Sequence, residues 1–197
     1  MHILMIRHAK TPGNEERRYV GRTDEPLSET GAADAEKIVK DDSLRFVFVS
    51  PMKRARATAS ILFPNAKQIV IDGLREMDFG VFEGRNADEM EEDTQYRAWV
   101  DSMCEDPCPQ GEVKSEFSRR SVNAFLSALT LSDGDAVFVV HGGTIMSVFE
   151  ALCEPKQDYY SYSVRNLFGR EADVVFGDDG RVVLQNAALY IPKEKVI

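Results

Sequence analysis

Apolar residues in this chain come in short runs, separated by polar stretches that carry helical spacing. Ile3-Leu4-Met5-Ile6 is a run of the length expected of a buried strand, placed by its polar flanks at about residues 2–7. A polar, glycine-containing loop from Thr11 to Glu29 follows, then a helix from about Gly31 to Lys40. Arg45 to Val49 is a second strand-like run. It leads into Ser50-Pro51, where serine suits an N-cap and proline the first helical turn, so a helix is predicted from there to about Phe63. Gln68 to Ile71 is a third short strand.

Residues 73–113 lose this alternation and read as an insertion covering one end of a sheet. The acidic run Asp88 to Asp93 is amphipathic through Met90. Tyr96, Trp99 and Val100 predict a helix, and Cys104 to Gly111, with two prolines, a loop. A helix from about Lys114 to Leu131 sets Phe117, Phe125, Leu126 and Leu129 at core spacing. Asp133-Gly134-Asp135 turns the chain into Ala136 to Val140, a strand ending at His141, and Thr144 to Leu152 is helical again. The tail from Ser163 holds two or three strands, with Asp178-Asp179-Gly180 as a hairpin turn. Strands alternating with helices imply an α/β fold, a mostly parallel sheet covered on both faces. No repeat or linker interrupts the 197 residues, so one domain with a lid-like insertion is expected.

Composition narrows the function classes. The net charge of −9 argues against nucleic-acid binding through a basic surface. No apolar run approaches the roughly 20 residues that span a bilayer, and no signal-peptide pattern opens the chain, so a cytoplasmic protein is expected. Cys104, Cys108 and Cys153 are odd in number, which disfavours a disulfide framework, and a zinc site would need two more soft ligands.

The chemistry gathers at strand ends. The first strand delivers Arg7 and His8. The second leads into Lys53-Arg54-Ala55-Arg56, and the later one delivers His141 followed by Gly142-Gly143-Thr144. Ligands of open α/β sheets bind outside the carboxyl ends of the strands. Arginine offers planar, bidentate donors to phosphate oxygens, and helix N-termini add free N–H groups. Each residue alone has a bland reading, a satisfied histidine or a solvated arginine; together they suit a phosphoryl group. His2 is given no role.

These segments resemble the histidine phosphatase superfamily, which includes the cofactor-dependent phosphoglycerate mutases. The matching stretches are Arg7 to Asn14, Gly21 to Gly31, Ser50 to Ala59, Leu74 to Gly84, Gly111-Glu112 and Val139 to Thr144, in the family's order. The resemblance implies a three-layer αβα sandwich. It implies His8 as nucleophile through a phosphohistidine, Arg7, Arg54 and His141 as the phosphoryl clamp, Asn14 as a neutral donor, and Glu76 as proton donor to the leaving oxygen. Asp78 and Glu83 are rival carboxylates. Thr11, Gly21 and Gly142 are expected to line the bound phosphate.

No metal and no cofactor is implied, since cationic side chains supply the charge. The chain departs from the family pattern at Ala9, where glycine is usual and a positive φ would strain alanine, at Lys10, at Asp34 and at Val113. Its length resembles compact phosphatases, including alpha-ribazole phosphatase and sugar-phosphate phosphatases, more than the longer mutases. Hydrolysis of small phosphomonoesters is therefore expected. A phosphoglycerate mutase is the first alternative and an inactive phospholigand sensor the second. The insertion and Tyr159, Tyr160, Tyr162 and Phe168 are expected to frame the leaving group. Oligomeric state is not legible.

Overall fold

A computed structural model describes residues 1–195 of the chain. Strands β1 (His2–Arg7), β2 (Phe46–Val49), β3 (Lys67–Val70), β4 (Ala136–Val140), β5 (Gly169–Phe176) and β6 (Val182–Tyr190) form one sheet in the order β3-β2-β4-β1-β5-β6. The four strands from β3 to β1 run parallel, and β5 and β6 join antiparallel at one side. β1 and β4 lie side by side in register, Arg7 opposite Val140. Both therefore end at the same level and release their next residues, His8 and His141, together.

Strand alternation builds a separate core on each face of the sheet. On one face Ile3, Met5, Phe48 and Phe138 pack against α5 (Lys114–Leu129) and α6 (Gly142–Leu152) through Phe125, Leu129, Ile145 and Phe149. On the other, Ile6, Val47, Val49 and Val139 meet α2 (Glu29–Glu36) and α3 (Lys53–Leu62) through Ala35, Ala55, Ala59 and Leu62. Each fully buried large side chain contributes about 1.5–3 kcal/mol by leaving water. The result is three layers, as the alternation required.

Several boundaries differ from the sequence reading for identifiable reasons. α2 starts earlier, because the Ser28 hydroxyl caps it by accepting from Gly31 N–H, and it ends at Glu36 rather than Lys40. α3 begins at Lys53, not at Ser50. The Ser50 hydroxyl is engaged with His141, so its tertiary partner overrides the capping preference. α6 starts at Gly142, directly after His141, and α5 stops at Leu129, leaving Leu131 exposed. A one-turn helix α1 (Pro12–Glu15) lies inside the first loop. The tail holds two strands, joined around Gly180 at φ 79°.

The 73–113 stretch contains 3₁₀ turns and one helix, α4 (Thr94–Asp101), capped by the Asp93 carboxylate. It has its own apolar cluster of Met77, Phe82, Met90, Tyr96, Trp99 and Cys108, joined to the sheet layers through Phe117 of α5. All three cysteines are free thiols. No described helix is long and apolar enough to cross a membrane.

Candidate active site

His8 is 3% exposed, and its ring centroid lies 5.1 Å from that of His141, the two planes at 65°. His8 Nδ1 donates to the Ala9 carbonyl at 2.7 Å. That bond assigns the proton to Nδ1 and leaves Nε2 with its lone pair free. Burial, then the charges of Arg54 and Arg7, hold the His8 pKa well below the ordinary imidazole value, so the ring stays neutral. Ala9 does not take a positive φ, so the strain anticipated there is absent. Its N–H donates instead to Thr58 Oγ1 at 2.9 Å, which anchors the turn after β1 to α3.

Arg54 is completely buried. Its Nη1 donates to the Thr23 carbonyl at 2.8 Å and Nη2 to the Gly21 carbonyl at 2.7 Å. Arg7 Nη1 donates to the Val164 carbonyl at 2.9 Å. His141 Nε2 pairs with Ser50 Oγ at 2.7 Å. Ser50 Oγ accepts from Met52 N–H, and its own proton has no other acceptor among the described residues; donating it to His141 Nε2 places the imidazole proton on Nδ1. Three buried donors are then left without a protein partner: Arg7 Nε, Arg54 Nε and His141 Nδ1. Unpaired buried donors are rare because each costs about 1–3 kcal/mol. Three of them around one neutral imidazole describe a cage for an oxyanion.

Glu76 lies against the first turn of α6. Its carboxylate accepts from Gly143 N–H at 3.1 Å and from its neighbour Met77 N–H at 3.0 Å. Burial raises its pKa, opposed in part by those two N–H groups and by Arg54 and Arg7. A Cβ at Gly143 would press on Glu76 Oε1 and the Phe117 ring, so the carboxylate would have to shift from its place at the first turn of α6. Gly142 lies beside the Arg7 guanidinium, where an added Cβ would sit 3.6 Å from it.

The two rival carboxylates are committed elsewhere. Glu83 accepts from the N–H groups of Gly21, Arg22, Thr23 and Phe79 and from the Thr23 hydroxyl at 2.6 Å. It thereby shapes the 21–23 turn whose carbonyls seat Arg54, a supporting part that its sequence gave no sign of. Asp78 accepts from Gly80 N–H and Arg22. Glu112 and Arg120 form a further support: Arg120 pairs with Glu112 at 2.7 Å and donates to the Gly73 and Arg75 carbonyls, bracing the segment that carries Glu76.

Of the other expected contacts, Asn14 is held through its amide oxygen. Its Oδ1 accepts from Thr11 N–H and Asn166 Nδ2, which directs its own amide N–H₂ elsewhere. Thr11 and Gly21 move from direct contact to support. The fully buried Thr11 hydroxyl caps α1 by accepting from Asn14 N–H, and Gly21 acts through its backbone on Arg54. Two departures from the family pattern meet each other, Lys10 Nζ lying 3.9 Å from Asp34. Val113 occupies the N-cap of α5 without a side-chain bond.

A cavity of about 440 Å³ opens beside Glu76, Arg7 and Gly143. Its walls are aromatic: Tyr19, Phe79, Trp99, Phe117, Tyr159 and Tyr160. The Trp99 indole N–H is buried there without a partner. Tyr159 and Tyr160 thus frame the pocket as expected, but the other two tail aromatics do not. Tyr162 packs on Phe149 in the core, and Phe168 lines a different groove.

The chain is similar to known proteins in both sequence and fold. A protein named probable phosphoglycerate mutase GpmB, from Erwinia tasmaniensis, is 32% identical over 155 residues, covering 75% of this chain and 72% of its own. Its namesake from Escherichia fergusonii is 33% identical over 150 residues, covering 73% and 70%. Among solved structures, the alpha-ribazole phosphatase of Shigella flexneri superposes with a TM-score of 0.79 at 24% identity, over 93% of this chain and 94% of that one. The protein TTHB049 of Thermus thermophilus gives a TM-score of 0.71 at 26% identity, over 97% and 99%. The model of the histidine phosphatase superfamily (branch 1) matches residues 3–179, and with the two adjoining imidazoles and their arginines in place, this chain belongs to that superfamily.

Proposed function

We propose that the chain is a phosphomonoesterase working through a phosphohistidine on His8. The observation that carries this reading is the set of three unpartnered buried donors, on Arg7, Arg54 and His141, around the free Nε2 of a neutral imidazole. His8 Nε2 attacks phosphorus in line while the ester oxygen leaves. The cage neutralises charge gathering on the equatorial oxygens, and Asn14 adds a neutral donor. Glu76, kept protonated longer by burial, gives its proton to the leaving oxygen. It then takes one from the water that attacks the phosphohistidine, and phosphate leaves with His8 neutral again. No step calls on a metal or a cofactor, so turnover is expected to survive EDTA.

The substrate is a small phosphorylated metabolite whose leaving group bears a ring or apolar surface. The aromatic cavity beside Glu76 and the unpartnered Trp99 indole N–H, which needs an acceptor on that group, both favour this. Alpha-ribazole phosphate and sugar phosphates are the first candidates. Within the same proposal the chain is one domain, the 73–113 insertion acts as its lid, and the free thiols fit a reducing cytoplasm. Neither nucleic acid nor membrane is a partner.

The relatives named as mutases favour a second reading, in which the phosphoryl group returns to the product instead of passing to water. A screen of phosphorylated metabolites in EDTA, followed by 3-phosphoglycerate with its bisphosphate, separates the two. Free phosphate from a monoester supports hydrolysis. Interconversion of phosphoglycerates without phosphate release supports the mutase, and no His8-dependent reaction on any substrate refutes both.

A further inference from the structure

A second cavity, of about 700 Å³, lies on the other side of Arg7 from the aromatic pocket and shares Arg7, Asn14 and Arg18 with it. The groove is formed by α1, the end of α2, the turn at 165–168 and the segment near Pro192. Six cations line it, Arg7, Lys10, Arg17, Arg18, Lys37 and Arg165, against two carboxylates, Asp34 and Glu194. The chain as a whole carries −9, so the sign of the local charge is inverted here.

Part of this charge is already balanced. Lys10 and Lys37 face Asp34, at 3.9 and 2.7 Å, and Arg18 is held by Glu16 and Glu89. Arg17 and Arg165 form no ion pair among the described residues. Both walls of the groove hold non-glycine backbone in the left-handed region, Arg17 at φ 56° and Leu167 at φ 68°. Such strain costs of order 1–3 kcal/mol per residue and collects at binding sites. The wall facing the reaction is rigid: Asn166 Nδ2 donates to the His8 carbonyl at 2.8 Å and to Asn14 Oδ1 at 3.3 Å.

We propose that this groove is a second oxyanion site, holding a phosphate or carboxylate group through Arg17 and Arg165 next to the phosphoryl group that reacts. The inference rests on the phosphomonoesterase reading for its kinetics, not for its binding. The anion belongs either to the far end of the substrate or to a separate small molecule, and the experiment has an arm for each.

Arg17→Ala, Arg165→Ala and the double variant leave the catalytic residues untouched. On para-nitrophenyl phosphate, which has no second anion, the double variant should keep kcat/KM within about twofold of wild type, whereas losing a charge-assisted contact to a bound anion costs about tenfold or more. If the anion is part of the substrate, wild type prefers a hexose bisphosphate to the monophosphate, and the double variant loses that preference about tenfold. If the anion is separate, inorganic pyrophosphate changes para-nitrophenyl phosphate turnover non-competitively in wild type, and the double variant no longer responds. Either result supports the site. Absence of both effects in wild type, their persistence in the double variant, or an equal loss on every substrate overturns it. Should wild type hydrolyse no ester, the phosphatase reading fails and calorimetry decides the groove. Pyrophosphate heat in His8→Ala protein that disappears when Arg17 and Arg165 are also replaced supports it, and unchanged heat overturns it.

Discussion

Ser50→Ala isolates the hydrogen bond that gives His141 its tautomer. The wild-type contact is 2.7 Å and fully buried, with His141 and Ser50 both at 0% exposure. Alanine removes the hydroxyl proton and leaves the buried His141 Nε2 without a protein partner. Stranding a buried acceptor costs about 1–3 kcal/mol. For a chain of this size each kcal/mol moves the melting midpoint by about 2–4 °C, so a fall of about 2–12 °C is expected. The activity effect has a different origin. Without Ser50 the imidazole proton is free to move to Nε2, taking the Nδ1–H donor from the cage. Losing one oxyanion donor outright costs about 10²–10³ in kcat. A partial loss through tautomer and orientation should therefore lower kcat/KM by about 5–100-fold. The assay is steady-state hydrolysis of para-nitrophenyl phosphate beside a thermal melt, with His141→Ala and the double variant completing the cycle. The double variant should stay within about twofold of His141→Ala, because the hydroxyl reaches the cage through that ring, its other bond, from Met52 N–H, being a long backbone contact at 3.4 Å. Full activity in Ser50→Ala, or a further loss in the double variant, would refute the tautomer argument.

Three other outcomes follow from the same geometry. Glu76→Gln should lower kcat by about 10²–10⁴ on alkyl phosphates and far less on para-nitrophenyl phosphate, whose leaving group needs little protonation. Wild-type kcat/KM should decline as pH rises through the elevated Glu76 pKa, a limb absent from the variant. Glu83→Ala should cost about 2–4 kcal/mol in stability and reduce kcat/KM without altering the pH profile, since it removes acceptors for the 21–23 turn but no reacting group. Finally, His8 and His141 both have folded pKa values depressed below the ordinary 6.5. Their contribution is complete above pH 6.5 and is lost as pH falls, because the unfolded chain then binds protons that the native state refuses. The slope in urea-melt stability should reach about 1.4 kcal/mol per pH unit per histidine below that point, and His141→Gln should flatten it; an unchanged slope would contradict the assigned neutrality.

The parts legible in the sequence were those fixed by local pattern. Apolar runs ending in Arg7-His8 and His141 marked two strand ends, and the parallel register of β1 and β4 makes those ends coincide. Spacing alone could not reveal which side chains leave local duty for a distant partner. Ser50 sits where an N-cap belongs, yet its hydroxyl serves His141, 91 residues away. Thr11, expected at the phosphate, caps α1 instead. Glu83 reads as a candidate acid in the sequence, yet its carboxylate is taken up by four donors from the turn that seats Arg54 and by Phe79 N–H. The tail aromatics divided for a similar reason: Tyr162 is drawn into the core beside Phe149, while Tyr159 and Tyr160 remain at the cavity.

Quenching the enzyme within milliseconds of adding a ³²P-labelled phosphomonoester tests the central claim directly. The account requires label on the protein that is acid-labile and base-stable, located at His8 by peptide mapping, and absent from His8→Ala. Phosphate release with no such label at any time, or label that persists in His8→Ala, would contradict it.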